Sequence, residues 1–86
     1  MINRYVGDAG TNSYTLKALT AYLVICATVA NNNTGNIAAY IIVPGGEHNT
    51  GAVAILVDNN NFSISLNGWT LAITGNTYHT TAIEQL

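Results

Sequence analysis

Clusters of Asn and Gly interrupt this chain at short intervals and divide it into brief apolar or alternating segments. Segments of this length are typical of β-strands, and no long stretch repeats apolar residues at helical spacing. The candidate strands are Asn3–Val6, Ser13–Leu16, Ala21–Val29, Ile37–Val43, Ala52–Val57, Phe62–Leu66, Trp69–Thr74 and Tyr78–Glu84. About eight short strands at this spacing predict an all-β fold, either a small antiparallel β-sandwich or a jelly-roll-like barrel.

Residues 62–73 predict a β-hairpin. Asn67-Gly68 is the preferred pair for a two-residue type I′ turn, because both turn positions need a positive φ. That turn places Leu66 opposite Trp69 and puts the further apolar residues of both strands on the same face. We therefore expect Trp69 to pack in the core rather than form a sugar-stacking platform.

Gly75-Asn76 leaves two alternatives for the end of the chain. The pair fits a second tight turn, which places Ile73 opposite Tyr78. It also fits a corner that sends the last strand into an opposing sheet. The sequence does not decide between the two.

Charged residues are few: two are basic and four are acidic among 86, for a net charge of −2. Two basic groups are too few to neutralise a run of phosphates or to bind an anionic membrane, so nucleic acid and membrane are not expected as partners. A hydrophobic content of 49% argues against disorder. A chain of this length predicts a single domain over residues 1–86.

The segments Ala21–Val29 and Ile37–Val43 are apolar on both faces. In the first segment, Leu23 and Ile25 lie on one face and Tyr22 and Val24 on the other. So small a sandwich has little with which to cover both faces of a strand. We expect another copy of the chain or a different protein to cover the second face; the alternative is that the Pro44–Gly51 loop covers Tyr22 and Val24.

The residues that carry chemistry in other proteins are scattered here. His48 lies in a Gly-rich loop, His79 in the last strand, and the single cysteine, Cys26, in an apolar strand. No nucleophile, base and orienting acid occur in a recognisable arrangement, and Glu47-His48 alone is a poor metal site. We therefore expect no enzymatic activity, no metal and no cofactor.

Several segments together carry a family resemblance. They are Tyr14-Thr15-Leu16, the apolar strand from Ala21 closed by Ala30-Asn31-Asn32, residues 38–46 with Val43-Pro44-Gly45-Gly46 at their end, and residues 71–82. In this order they resemble the small β-sandwich virion proteins of tailed bacteriophages, whose chains open with YTVPAG and carry a late Gly-Asp strand pair. Here the opening reads Leu16-Lys17-Ala18-Leu19 and the late pair is Gly75-Asn76.

This resemblance implies a virion structural protein, in particular a capsid decoration or cement protein. Its expected partners are the major capsid protein or other virion proteins and further copies of itself, with a trimer favoured. Its expected location is the virion, assembled in the host cytoplasm. The alternative is a module associated with the tail, neck or fibre that binds a host glycan, around Tyr40, His48 and Trp69. The expected partner contacts are Met1, Ile2, Asn3, Arg4, Tyr5, Tyr22, Tyr40, Pro44, Glu47 and His48.

Overall fold

The structure is a computed structural model that describes residues 1–28 and 35–86. Within those ranges the chain forms eight β-strands and no α-helix. The strands are β1 (Ile2–Val6), β2 (Gly10–Thr15), β3 (Tyr22–Thr28), β4 (Ile37–Pro44), β5 (Gly51–Val57), β6 (Phe62–Asn67), β7 (Thr70–Gly75) and β8 (His79–Gln85). Each agrees with a predicted segment to within a few residues, although the predicted strand end at Val29 lies outside the described residues.

The strands form two antiparallel sheets that enclose a common core. The larger sheet has five strands in the order β1-β8-β3-β4-β5, and the smaller has three in the order β2-β7-β6. This arrangement confirms the prediction of an all-β fold and is consistent with a small β-sandwich. The described residues contain no helix that could span a membrane.

Residues from the inner faces of both sheets form the core. They are Tyr14, Leu16, Tyr22, Val24, Cys26, Ala38, Tyr40, Ile42, Phe62, Leu71, Ile73 and Ile83. Full burial of one Leu or Ile side chain contributes roughly 1.5–3 kcal/mol, so this cluster supplies most of the driving force for packing the sheets together.

The two faces of β3 differ in their surroundings. Tyr22 and Val24 are buried in the chain's own core, whereas Leu23 and Ile25 on the outer face are half-buried. The alternative that the Pro44–Gly51 loop covers Tyr22 and Val24 is therefore wrong, whereas cover of the other apolar face of β3 by a partner stays a prediction. The smaller sheet covers the Tyr22 face of β3, and the Tyr22 hydroxyl also accepts a hydrogen bond from the backbone N–H of Lys17 at 3.0 Å.

The β6–β7 hairpin forms with a register that differs from the predicted one by two residues. Leu66 pairs with Leu71 and Asn67 with Thr70, so the turn residues are Gly68 and Trp69. Gly68 has a φ of 62° and no positive φ occurs at Trp69, which is the pattern of a type II′ turn. A two-residue shift keeps each strand's apolar side chains on the predicted face. It moves Trp69 into the turn, where its side chain is 44% exposed, so the expectation of a core tryptophan is wrong.

Gly75-Asn76 forms the corner and not the tight turn. β7 ends at Gly75 in the smaller sheet, and β8 begins at His79 in the larger one. β8 then runs between β1 and β3, pairing Ile2 with Ile83. The crossing therefore joins the two ends of the chain in one sheet.

Candidate functional site

β5 is an edge strand of the larger sheet, and all seven of its residues are exposed. The strand reads Gly-Ala-Val-Ala-Ile-Leu-Val and contains no charged or polar side chain. Its larger side chains are exposed by 44% at Val53, 61% at Ile55, 57% at Leu56 and 42% at Val57. Soluble proteins rarely leave so long an apolar edge strand uncovered, because its free backbone groups invite pairing with another strand.

The exposure of β5 has a simple geometric cause. Val53 pairs with Ile42 and Ile55 pairs with Tyr40, so the members of each pair point to the same side of the sheet. Ile42 and Tyr40 are buried in the core, whereas Val53 and Ile55 are not. The smaller sheet reaches β5 at Gly51, where an added Cβ atom would lie 2.7 Å from the Leu66 side chain, but it leaves Val53 and Ile55 open. The core therefore continues into an open apolar strip.

A β-bulge shapes the far end of this strip. The β4–β5 register shifts between Ala39 and Tyr40, because Tyr40 pairs with Ile55 and Ala39 pairs with Val57. Leu56 is therefore an additional residue without a partner on β4. A bulge disrupts the ladder locally, so Gly51–Ile55 is the part of the edge whose pairing register with β4 is uninterrupted.

Leu19 extends the apolar surface at the other end of β5. Its side chain is 81% exposed, and its φ of 57° lies in the left-handed region, which is uncommon for a residue other than glycine. The backbone N–H of Leu19 donates a 2.8 Å hydrogen bond to the Pro44 carbonyl and holds the loop against the β4–β5 connection. Leu19, Val43 and Ala52 help to line a shallow depression of about 330 Å³.

The structure divides the predicted contact residues between two separate places and the core. Met1, Ile2, Asn3, Arg4 and Tyr5 lie on or beside β1, and Tyr5 is 64% exposed. β1 and β5 are opposite edges of the larger sheet, with β8, β3 and β4 between them. The N-terminal residues therefore do not form one surface with the loop that precedes β5.

Three of the predicted contact residues are buried within the chain. Tyr22 is 8% exposed, Tyr40 is 3% exposed, and Pro44 is among the fully buried side chains. Tyr22 and Tyr40 point inward from β3 and β4, and Pro44 ends β4 beneath the loop. These side chains are unavailable to a partner, and the predicted contact role is corrected for all three.

Glu47 and His48 are exposed on the loop between β4 and β5. Their side chains are 75% and 87% exposed, and His48 Nε2 lies 3.8 Å from Glu47 Oε2. An exposed pair of this kind contributes little to stability. His79, by contrast, is 1% exposed, so the two histidines lie in unlike surroundings.

The buried titratable groups have the properties of core residues. Burial raises the pKa of the Cys26 thiol to about 11, a rise that the neighbouring Thr81 hydroxyl partly offsets. Burial also raises the pKa of Tyr40, and Cys26 and Asp58 add to that rise through their charges. Among the described residues, no three His, Cys, Asp or Glu side chains form a group that could hold a metal ion. Because burial raises its pKa, the Cys26 side chain is a protonated thiol at neutral pH and a poor nucleophile.

β5 was not among the predicted contact residues, although its sequence carries a signal. Six consecutive apolar residues, Ala52–Val57, match the pattern of a strand with two apolar faces, as β3 and β4 do. The exposed side chain of Tyr78 was not predicted, and Trp69 was expected at the surface only in the glycan-binding alternative.

Compared with known proteins, the chain matches no family model, no curated protein and no solved structure. The class of the protein is therefore described from its structure: it is a small all-β sandwich whose most distinctive surface is an uncharged apolar edge strand.

Proposed function

We propose that this chain is a non-enzymatic structural protein of a virion, and in particular a capsid decoration protein. The observation that supports the proposal most is β5, a seven-residue apolar edge strand with every residue exposed. A chain that works alone in solution needs charge, proline or a covering loop at such an edge. In a chain that functions within an assembly, neighbouring proteins cover such an edge.

The low charge of the chain supports the same proposal. With only six charged residues among 86, its surface repels neighbouring proteins weakly. Permanent interfaces are more apolar than transient ones, and a surface of this composition fits them. The resemblance to small virion proteins of tailed bacteriophages supplies the particular assembly. The proposed partners are the major capsid protein or other virion proteins together with further copies of the chain, and the proposed location is the virion.

One observation favours a second candidate, a glycan-binding module of the tail, neck or fibre. Trp69 is 44% exposed in the β6–β7 turn, two residues after Asn67, and an exposed aromatic ring and an amide in one turn offer a sugar an apolar face and a hydrogen-bonding group. Tyr40, which the sequence placed in the same pocket, is buried and cannot take part. Titration of Trp69 fluorescence with host surface polysaccharide tests this candidate, and no change in emission would count against it.

The test of the main proposal is the position of the chain in the intact particle. We expect a reconstruction of purified particles to show many copies on the outer surface of the head. We also expect purified protein to bind heads from which it has been removed. Absence of the chain from purified particles overturns the virion role, and a small number of copies at the tail or neck overturns the decoration role.

A further inference from the structure

We propose that β5 pairs with β5 of a second copy of this chain, antiparallel and centred on Val53. The two five-stranded sheets then join across a two-fold axis into one continuous sheet. The inference deepens the proposed function and rests on it in one respect, because it assumes that β5 is covered by protein in the working state. It specifies which strand pairs with β5 and in which register.

A comparison of the two edges of the larger sheet indicates which one is free to pair. β1 carries Arg4 at its centre, and the Arg4 guanidinium lies 6.0 Å from the centre of the Tyr14 ring. A charged side chain in the middle of an edge strand discourages pairing with another strand. β5 has no such residue, so the sheet has one protected edge and one unprotected edge. A head-to-tail contact between β5 and β1 of the next copy is disfavoured for the same reason.

The sequence of β5 is nearly symmetric about Val53. In antiparallel self-pairing centred there, Ala52 faces Ala54 of the second copy and Gly51 faces Ile55. Small residues thus meet on one side of the sheet. On the other side, the large Ile55 side chain lies opposite Gly51, which has no side chain, and Val53 contacts Val53 of the second copy. This register uses only Gly51–Ile55, the part of the strand that precedes the bulge.

Charge favours the antiparallel direction over the parallel one. Asp58 follows directly after β5 and is the nearest charged residue to its end. In a parallel, in-register pair the two Asp58 carboxylates would lie side by side, about 5 Å apart at the strand spacing. In the antiparallel register they lie at opposite ends, ten residues apart along the strand direction, which is roughly 33 Å. The antiparallel pair therefore avoids the repulsion.

Two-fold pairing differs from the trimer that the sequence resemblance favours. When two β5 strands pair, the free backbone groups of both are used, because each β5 has only one unpaired side. A closed ring of three would need a second, complementary edge on the same sheet, and that edge is the charged β1. The inferred unit is therefore a dimer.

The first experiment measures the mass of the purified full chain in solution over a range of concentrations. We expect light scattering to give twice the 9.1 kDa of one chain. Ile55→Lys should raise the dissociation constant at least about tenfold, because it places a charge on the pairing edge. Tyr5→Lys is the matched control, since Tyr5 is 64% exposed on the other edge and Ile55 is 61% exposed. Circular dichroism of both variants checks that they fold.

The second experiment tests register and direction by disulfide formation. Val53→Cys should cross-link efficiently, because a residue on the two-fold axis lies about 4.5–5.5 Å, Cα to Cα, from its own copy. Ile55→Cys should not, because the two copies of residue 55 are four residues apart, roughly 13 Å. In a parallel pair both variants would cross-link equally, and that result overturns the proposal. Cys26 is buried and does not compete.

The outcomes separate this inference from the proposed function. A chain that is monomeric at every concentration, yet loses binding to heads on Ile55→Lys, uses β5 against another protein; self-pairing is then overturned and the virion role stands. A dimer with the expected cross-link that does not bind heads leaves self-pairing in place and overturns the decoration role. A trimer overturns self-pairing in either case.

Discussion

The packing of Gly75 against His79 determines how the chain turns the corner between the two sheets. The His79 ring is 1% exposed, and its Nδ1–H donates a 2.8 Å hydrogen bond to the Thr77 carbonyl. The ring also packs edge-on against Phe62, with the ring centres 5.5 Å apart. A Cβ atom at Gly75 would lie 2.5 Å from His79 Nδ1, closer than any normal contact. Only glycine fits here without moving the ring.

We expect Gly75→Ala to lower the free energy of unfolding by about 1–3 kcal/mol, because the added methyl group displaces a buried ring. For a domain of this size, each 1 kcal/mol lowers Tm by roughly 4–8 °C, so calorimetry measures the effect easily. Gly46→Ala is the matched control, since a Cβ there meets nothing within 4 Å. Equal melting temperatures for the two variants would contradict the packing described for His79.

Cys26 makes stability depend on pH in the alkaline range. Burial raises its pKa from 9.0 to about 11, so the folded chain holds this proton more tightly than the unfolded chain does. The resulting stabilisation is fully present below pH 9 and is lost as the pH rises towards 11. We expect urea unfolding to show a loss of roughly 2–3 kcal/mol from this group across that window.

Cys26→Ala isolates the contribution of the thiol to this loss. The variant is less stable at neutral pH, because it leaves a small cavity, but its stability should fall less steeply between about pH 9 and about pH 11. Because the Cys26 charge also helps to raise the pKa of Tyr40, the difference between the two chains includes that coupling. Identical slopes would show that the Cys26 thiolate carries no burial penalty.

At the scale of the element, the β6–β7 hairpin can be tested by its turn. The observed turn needs a positive φ at Gly68 and ordinary strand geometry at Asn67, whereas a type I′ turn at Asn67-Gly68 needs a positive φ at both. We expect Gly68→Ala to cost about 1–3 kcal/mol, because a Cβ there would also lie 2.9 Å from the Gly46 carbonyl oxygen. Asn67→Thr should change stability by less than about 0.5 kcal/mol. A loss of more than about 1 kcal/mol on Asn67→Thr would favour the type I′ register.

Local chemistry was sufficient to predict the strands of this chain. Asn and Gly clusters lie between most of the strands, so the number of strands and their approximate positions follow from turn residues and alternation. The start of β2 at Gly10, three residues before the predicted start, does not follow from them. The apolar face of the hairpin also follows from alternation, which is why a two-residue error in register left that face unchanged. The register itself depends on where the β6–β7 turn packs, and Gly46 from a distant loop is part of that packing. A contact of this kind is not visible in local sequence.

The candidate site was less predictable than the strands, and for a related reason. The apolar pattern of β3 correctly indicated that both its faces are removed from water to some degree, but it did not indicate which face meets the second sheet. The same pattern in β5 has the opposite outcome, since every residue there is exposed. Position in the sheet accounts for the difference: β3 is central and β5 is at an edge. Strand order arises from long-range pairing, which a pattern of apolar residues does not specify.

At the scale of the whole molecule, the distribution of charge is unusually uneven. Among the eight strands, only β1 and β8 carry a charged residue, Arg4 and Glu84 respectively. β1 is one edge of the larger sheet, and β8 is the strand next to it. The other half of that sheet, from β3 to β5, contains no charged residue. The strands of the larger sheet thus form a charged half and an uncharged half, and the uncharged half ends in the exposed strand.

This asymmetry makes the salt dependence of self-association a test of the force that drives it. An interface built from β5 contains no ion pair, so screening removes no attraction. We expect the dimer dissociation constant to change by less than about twofold, or to decrease, between about 0.1 M and about 0.5 M NaCl. Sulfate at equal ionic strength should tighten the dimer further, because it strengthens the burial of apolar surface. Analytical ultracentrifugation measures both effects, and a dissociation constant that rises about tenfold with NaCl would assign the contact to charged residues instead of the apolar strand.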